Sequence, residues 1–179
     1  YTKDINEYIL FFKSIGIKKI VLVGGKNLLN SLQIIKDNNI SVILNRIHSL
    51  PSNEDAAIDQ SFTLPSILKK EGILFCFAYN GDMEAMGTRN LPFTAGTSVT
   101  YGLDIEDAIA AMSLNTAKIL GIDKITGSIE KGKYANFFIS TGDALDMRTN
   151  NVENAFIKGE EIDLNNHQKE LFYKYNTTD

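Results

Sequence analysis

Apolar residues in the first part of the chain alternate between helical spacing and short continuous runs. Residues 3–15 carry apolar side chains three and four positions apart, which predicts an amphipathic helix that ends at Gly16. Residues 19–23 are predicted to form a strand that is buried on both faces, because no polar residue interrupts the apolar run after Lys19. A second helical pattern ends near Asn38, and residues 41–44 form the next apolar run. Strand, helix and strand of these lengths predict a right-handed parallel crossover.

The alternation continues with longer polar segments between the elements. The predicted elements are, in chain order, a polar loop at residues 45–60, a helix at 64–71, a strand at 73–79, a loop at 80–88, and helices at 91–101 and 105–113. Asp104 is the predicted N-cap of the last of these helices, and Pro92 suits the first turn of the helix before it. Loops as long as these two are often functional.

The last third of the chain changes from helical to short-strand patterning. A helix at residues 115–120 is predicted to end at Gly121, since a residue without a Cβ can adopt the positive φ that stops a helix. Strands are predicted at residues 136–140 and 152–157, and a tight reversal at Lys158–Gly159 leads into residues 161–164. The tail at residues 166–175 has the pattern of a final helix.

The residues around that helix-to-strand change carry a family resemblance. From Ser113 to Ser140 they read SLNTAKILGIDKITGSIEKGKYANFFIS, and the similarity continues through GDAL at 142–145 and VENAFIKG at 152–159. This segment resembles the closing segment of the amidohydrolase superfamily, nearest to its imidazolonepropionase-like members. In that family, a similar motif joins the last helices of the barrel to a small β-sandwich.

The resemblance implies an α/β fold, a partial TIM-type (β/α) barrel with a small C-terminal β appendage. The three apolar strands would be the sixth, seventh and eighth of an eight-stranded barrel. On this plan residues 1–124 belong to the barrel, residues 125–165 contribute to the sandwich, and residues 166–179 form a helical or disordered tail. The resemblance covers almost the whole chain, whereas the chain corresponds to roughly half of a complete family member.

The resemblance also implies where the chemistry of a complete family member takes place. The active site of such a barrel lies at the carboxyl ends of the strands. There, histidines and an aspartate hold one or two divalent, zinc-like metal ions, which lower the pKa of a bound water. This chain has two histidines, His48 and His167, and neither is spaced to pair with another ligand. We therefore assign no catalytic residue, no metal ligand and no cofactor within this chain.

Five residues are candidates for one side of a substrate pocket, because they follow the predicted strands: Gly25, Asn45, His48, Asn80 and Asp82. Asn80 stands where the family places its last aspartate, and an amide has no charge and cannot serve as a general base. Asp82 would substitute for it only if the loop rearranged. His48 is either a solvated loop histidine or a ligand.

Two other features have both a structural and a functional interpretation. Gly24, Gly25 and Lys26 form a turn between strand and helix that suits a phosphate, but the segment lacks a complete phosphate-binding motif, so a simple turn is the alternative. Cys76 is the single cysteine and lies in an apolar run. It has no internal disulfide partner, and we interpret it as a small buried apolar residue rather than a nucleophile.

Composition narrows the function classes. The chain has 179 residues, 44% of them hydrophobic and 22% charged, as in an ordinary soluble globular protein. A net charge of −4 gives no electrostatic reason to expect nucleic acid. No apolar run approaches the roughly 20 residues that cross a bilayer, so we expect no membrane association. The sequence does not distinguish a cytoplasmic from a periplasmic location.

The resemblance implies a parent protein that hydrolyses a cyclic amide or another non-peptide C–N bond, with a small molecule as substrate. We expect the isolated chain to be inactive because the metal ligands lie elsewhere. The alternative is a non-catalytic scaffold or binding subunit that pairs with another chain. Three parallel strands cannot close a barrel and leave unpaired edges. The expected partner is therefore the N-terminal half of the same protein or a second subunit, and a homo-oligomer is expected.

Overall fold

The computed structural model of the protein describes residues 2–25, 27–51, 54–79 and 84–176. The helices are α1 (Thr2–Ser14), α2 (Leu32–Asp37), α3 (Gln60–Lys70), α4 (Glu84–Gly87), α5 (Leu91–Thr100), α6 (Ile105–Met112), α7 (Leu114–Leu120) and α8 (His167–Tyr175). The strands are β1 (Val21–Val23), β2 (Ser41–Asn45), β3 (Phe75–Ala78), β4 (Phe137–Ser140), β5 (Val152–Ile157) and β6 (Glu160–Glu161). Short 3₁₀ turns precede α2 and α5.

The first three strands form a parallel sheet in the order β1-β2-β3, which confirms the predicted parallel pairing and the mixed α/β class. Helices pack against the face of the sheet that carries Val42 and Leu44 of β2 and Phe75 and Phe77 of β3, and all four are at most 4% exposed. Leu68 of α3 is completely buried in the same cluster. The core of the chain therefore lies between this sheet and its helices.

The prediction that the first strand is buried on both faces is wrong. β1 begins at Val21, two residues later than predicted, and Val23 is 57% exposed. The reason is topological, because β1 is an edge strand with only β2 beside it among the described residues. The apolar run therefore indicated a strand, but it did not indicate how many other elements pack beside that strand.

The first helix lies one residue earlier than predicted, at Thr2–Ser14 instead of residues 3–15, and it buries little of its apolar face. Ile9 is 2% exposed and belongs to the core, whereas Tyr8 and Ile15 are 63% and 57% exposed. Phe11, which lies beside this stripe, is 55% exposed. The helix thus uses one flank to pack against the chain and presents the other flank to solvent.

The last three strands form a separate antiparallel sheet in the order β4-β5-β6. The rings of Phe137 and Phe156 stack across β4 and β5 with their centroids 4.8 Å apart. The final strand covers Glu160–Glu161 instead of the predicted residues 161–164. The predicted tail helix is α8, and the Asn166 side chain accepts a hydrogen bond from the Lys169 N–H at its start. The proposed division into 1–124, 125–165 and 166–179 stays a prediction.

The loop between β4 and β5 joins the two sheets through Leu145, which is 6% exposed and belongs to the main core. The Leu145 carbonyl approaches α5 at Gly96 so closely that a Cβ there would lie 2.3 Å from its oxygen. Glycine in a helix interior usually costs about 0.5–1 kcal/mol relative to alanine. Here it is required because a backbone carbonyl occupies the space of the missing side chain.

Candidate functional site

A cavity of about 520 Å³ lies at the carboxyl ends of β1 and β2. The first turns of α1 and α3 and the segment after β2 complete its walls. The lining residues are Ile5, Leu22, Val23, Gly24, Gly25, Asn27, Leu44, Asn45, Arg46, Ile47, Ser49, Leu50, Pro51, Gln60, Ser61 and Leu64. Its size suits a small-molecule ligand, since such sites typically measure ~300–1,000 Å³.

The turn after β1 forms one side of the cavity. The Gly24 N–H donates to the Ile43 carbonyl at 2.9 Å and so extends the pairing of the sheet by one residue. Because this N–H is already used, it is not available to a phosphate, and the turn interpretation of this segment gains support. A Cβ on Gly25 would meet only ordinary contacts, at 3.7 Å from Leu44 and 3.8 Å from Leu64. Lys26 lies outside the described residues.

Asn45 occupies the last position of β2, opposite Ala78 in the register of the sheet. Its Oδ1 atom is buried, and no donor among the residues that the structure describes hydrogen-bonds to it. A buried acceptor without a partner costs ~1–3 kcal/mol, so natural proteins keep few of them. Such an atom at the wall of a cavity indicates that another group completes its hydrogen bonding.

Arg46 follows directly and was not singled out by the sequence analysis. Its φ of 21° lies in the positive region that side chains rarely adopt. Its N–H donates to the Ala78 carbonyl at 3.2 Å, which ties this backbone to the end of β3. A basic residue at the end of a parallel strand was the available signal, but charge alone did not distinguish it from solvated surface residues.

His48 lies close to the cavity but not among the residues that line it. Its Nε2 is 2.8 Å from the Thr97 hydroxyl, and this hydroxyl is within 3.0 Å of the Phe93 carbonyl, to which it donates. The hydroxyl therefore accepts from the Nε2–H of His48. Burial, followed by the charge of Arg46, lowers the pKa of His48, so the neutral imidazole is favoured. His48 is only partly buried, but its hydrogen bond to Thr97 fixes it to α5.

The five predicted pocket residues therefore divide into three groups. Gly25 and Asn45 line the cavity together, and His48 lies beside it. Asn80 and Asp82 lie outside the described residues, so the prediction for these two stays a prediction.

The described part of the chain contains no group of three or more His, Cys, Asp or Glu residues that could hold a metal ion. His48 hydrogen-bonds Thr97, and His167 lies in α8, 3.8 Å from Glu170. Cys76 is buried, as predicted, and this burial raises the pKa of its thiol against a smaller opposing effect of a hydrogen bond with Thr116. The described side chains thus do not fit the metal centre of a complete enzyme.

No helix in the described ranges combines the length and the apolar character needed to span a bilayer.

The chain is similar to solved amidohydrolase structures but is much shorter than they are. An amidohydrolase from Thermotoga maritima is 25% identical and superposes with a TM-score of 0.76, over 90% of this chain and 41% of that one. A prolidase complexed with N-methylphosphonate-L-proline is 15% identical with a TM-score of 0.60, over 88% and 43%. An adenosine deaminase from Xanthomonas campestris with bound zinc is also 15% identical with a TM-score of 0.60, over 93% and 43%.

The chain therefore spans less than half the length of these solved structures. No curated protein matches it at a significant level. The model of the amidohydrolase family matches residues 7–162, which include both sheets and every residue that lines the cavity except Ile5. The chain belongs to the amidohydrolase family.

Proposed function

We propose that the chain forms the C-terminal part of an amidohydrolase (β/α) barrel and contributes one wall of its substrate pocket. The parent protein would be imidazolonepropionase-like and would hydrolyse a cyclic amide or another non-peptide C–N bond. The observation that carries this proposal is the cavity at the carboxyl ends of β1 and β2, since parallel (β/α) enzymes place their sites at that end of the strands.

The open sheet supports the partial barrel. β1, β2 and β3 would be the sixth, seventh and eighth strands, and three strands are too few to close a cylinder. Val23 on β1 and Tyr8 on α1 are more than half exposed, although both belong to apolar patterns. A further strand and helix beside β1 would cover both residues.

In this proposal the chain binds and orients the substrate, and the remainder of the barrel supplies the reacting groups. A divalent, zinc-like ion in the complete family member would make hydroxide available at neutral pH. Asn45 would hydrogen-bond the substrate through its amide, and Gly25 would leave space for it. We expect no turnover from the chain alone.

The proposed partner is the N-terminal half of the same protein or a second subunit, with a homo-oligomer as the expected state. Unpaired strand edges with apolar neighbours favour association. Sedimentation of the purified chain should therefore give a dimer or larger species, and a monomer that persists at high concentration would contradict this expectation.

The catalytic proposal is tested by activity with and without the remainder of the barrel. The purified chain is incubated with zinc or manganese and a panel of cyclic amides, such as hydantoins and dihydropyrimidines. We expect no hydrolysis by the chain alone and hydrolysis when the N-terminal half is co-purified with it. Turnover by the isolated chain, or an inactive complete assembly, would contradict the proposal.

The alternative is a scaffold or binding subunit without catalysis. It is favoured by Asn80, which stands where the family has an aspartate and belongs equally to the complete protein. Metal analysis of the complete assembly separates the two functions. A stoichiometric divalent ion supports the hydrolase, and a metal-free assembly that binds its partner supports the scaffold.

A further inference from the structure

We propose that His48 is a positioning residue that holds one wall of the cavity in place, and that this wall loosens when the imidazole takes up a proton. The wall is formed by residues 46–51, the cavity segment. The inference goes beyond the proposed function, because it concerns the shape of the cavity and does not depend on which ligand the cavity binds.

The cavity segment is anchored at its start and exposed further along. The residues of the segment that line the cavity include Ile47, Ser49, Leu50 and Pro51, and His48 is not among them. Ile47 is 3% exposed and belongs to the main core, whereas Leu50 is 79% exposed. His48 lies between these two residues in the sequence, so contacts of its side chain restrain the exposed part of the segment.

The side chain of His48 connects the segment to two helices. Its Nε2 atom is 2.8 Å from the Thr97 hydroxyl of α5. The rings of His48 and Phe62 of α3 form a T-shaped pair with 6.0 Å between their centroids. Phe62 in turn packs against Tyr101, the residue after α5, with the two centroids 5.0 Å apart. One imidazole thus joins the cavity segment to α3 and to α5.

The hydrogen bond to Thr97 identifies the atom that titrates. The Thr97 hydroxyl donates to the Phe93 carbonyl, so it accepts from the Nε2–H of His48. The proton that is gained in acid is therefore added at Nδ1. Because Nε2–H donates in both charge states, protonation does not remove this hydrogen bond. It acts through the charge that it places on the ring.

The surroundings of His48 oppose this charge. Burial lowers the pKa of His48, and the positive charge of Arg46 in the same segment lowers it further. No carboxylate among the described residues contributes to this pKa. From α3 the ring meets the uncharged Phe62, and from α5 it meets the uncharged Thr97, with the phenol of Tyr101 behind Phe62. The closed segment therefore favours the neutral imidazole.

This preference makes the position of the segment depend on pH. When the segment moves away from the helices, the imidazole regains water and its ordinary affinity for a proton. The open segment then binds the proton more readily than the closed one, so acid shifts the population toward the open state. The closed segment is fully favoured above pH 6.5, and this advantage decreases as the pH falls through the lowered pKa of His48.

The test places a fluorescent reporter in the cavity segment. The chain has no tryptophan, so Leu50→Trp at its exposed position gives a single residue that can be excited selectively. The fluorescence anisotropy of this reporter should decrease between about pH 8 and about pH 4.5, because the open segment moves more freely. The midpoint should lie below pH 6.5 and should equal the midpoint of the His48 ring signals in an NMR titration.

Three variants of the reporter protein separate the charge of His48 from its hydrogen bond. In His48→Gln the side-chain amide can still donate to Thr97 but cannot titrate, so the anisotropy should stay high at every pH. Thr97→Val removes the acceptor, and the anisotropy should be low already at neutral pH. The matched control is His167→Gln, which removes the other histidine of the chain, in α8, and should leave the pH dependence unchanged.

Several results would overturn the inference. They are an anisotropy that does not change with pH, a pH change that survives in His48→Gln, and a Thr97→Val protein that behaves like the unmodified reporter. Loss of the far-UV circular dichroism signal with the same midpoint would also contradict it, because the whole chain would then unfold rather than one segment. If His48→Gln does not fold, the agreement between the reporter and NMR midpoints decides the question.

Discussion

The two sheets of this chain differ in how completely the chain itself covers them. In the parallel sheet, Val42 and Leu44 are 0% exposed and lie beneath a layer of helices. In the antiparallel sheet, no residue of β4, β5 or β6 is buried, and Phe138 is 49% exposed. Apolar residues of similar type therefore form a core in one region and a surface in the other.

This difference shows where the stability of the chain resides. A three-stranded sheet needs an apolar face packed against another layer to be stable by itself. The parallel sheet has this layer, whereas the antiparallel sheet relies on the Phe137–Phe156 stack and on the anchor at Leu145. We infer that the stability of the antiparallel sheet depends on the parallel region more than the stability of the parallel region depends on the antiparallel sheet.

The strongest test compares a buried apolar residue of the parallel sheet with a half-exposed one of the antiparallel sheet. Leu44→Ala should lower the free energy of unfolding by ~2–5 kcal/mol, because it opens a cavity in a fully packed site. Phe138→Ala should change it by no more than about 0.5 kcal/mol, as expected for a half-exposed surface residue. Chemical denaturation measures both values. Similar losses in the two variants would show that the antiparallel sheet has a core of its own.

The second test concerns the joint between the regions. Gly96→Ala should destabilise the chain by ~1–3 kcal/mol, because the new Cβ meets the Leu145 carbonyl and forces the backbone to shift. Gly25→Ala is the matched control, since its Cβ would meet only ordinary contacts. If Gly96→Ala stabilised the chain, as a glycine-to-alanine change in an unhindered helix does, the close approach of Leu145 would be refuted.

The third test measures the internal strength of the antiparallel sheet. A double-mutant cycle on Phe137 and Phe156, each changed to leucine, should give a coupling energy of ~0.5–1.5 kcal/mol for the stacked rings. The unfolding free energies of the four proteins supply the cycle. A coupling energy near zero would mean that the two rings stabilise the sheet only through the apolar area that each one buries.

The fourth test uses two helix caps whose side-chain oxygens each accept a hydrogen bond from a backbone N–H. Asp104 accepts a hydrogen bond from the Glu106 N–H at the start of α6, and Asn166 does the same for Lys169 in α8. Asp104→Ala should cost about 1 kcal/mol of global stability, because α6 packs into the core. Asn166→Ala should leave global stability unchanged and only increase hydrogen exchange in α8, which buries no residue. An equal loss of global stability would show that α8 is coupled to the core.

The smallest expected effect is a pH dependence within the parallel region. The pKa of His48 is lowered by burial and by Arg46, so the folded chain binds this proton less readily than the unfolded chain does. The contribution of His48 to the free energy of unfolding is therefore complete above pH 6.5, the usual histidine pKa. It decreases as the pH falls through the lower pKa that His48 has in the folded chain. His48→Gln should reduce the loss of stability between neutral and mildly acidic pH. Identical pH profiles for the two proteins would contradict this assignment.

Local patterns predicted most of the elements because they depend on residues near in sequence. The helical spacing in α1, the Asp104 cap and the apolar run of β3 each specify an element without distant contacts. The candidate site was predicted only in part. Gly25 and Asn45 come at or after the ends of predicted strands and were identified on that basis. Arg46 was not identified, because its place at the cavity depends on a backbone conformation held by the hydrogen bond to Ala78.

The sequence by itself determined the amidohydrolase family and most of the order of helices and strands, since these follow from motif and spacing. It did not indicate α4, which lies in a segment predicted to be a loop. The tertiary structure decided which apolar residues are covered and which polar groups meet at the cavity. The exposure of Val23 and the burial of Val42 illustrate this, because both belong to apolar strands and differ only in their neighbours. Burial is a property of contacts between distant segments, so no local pattern specifies it.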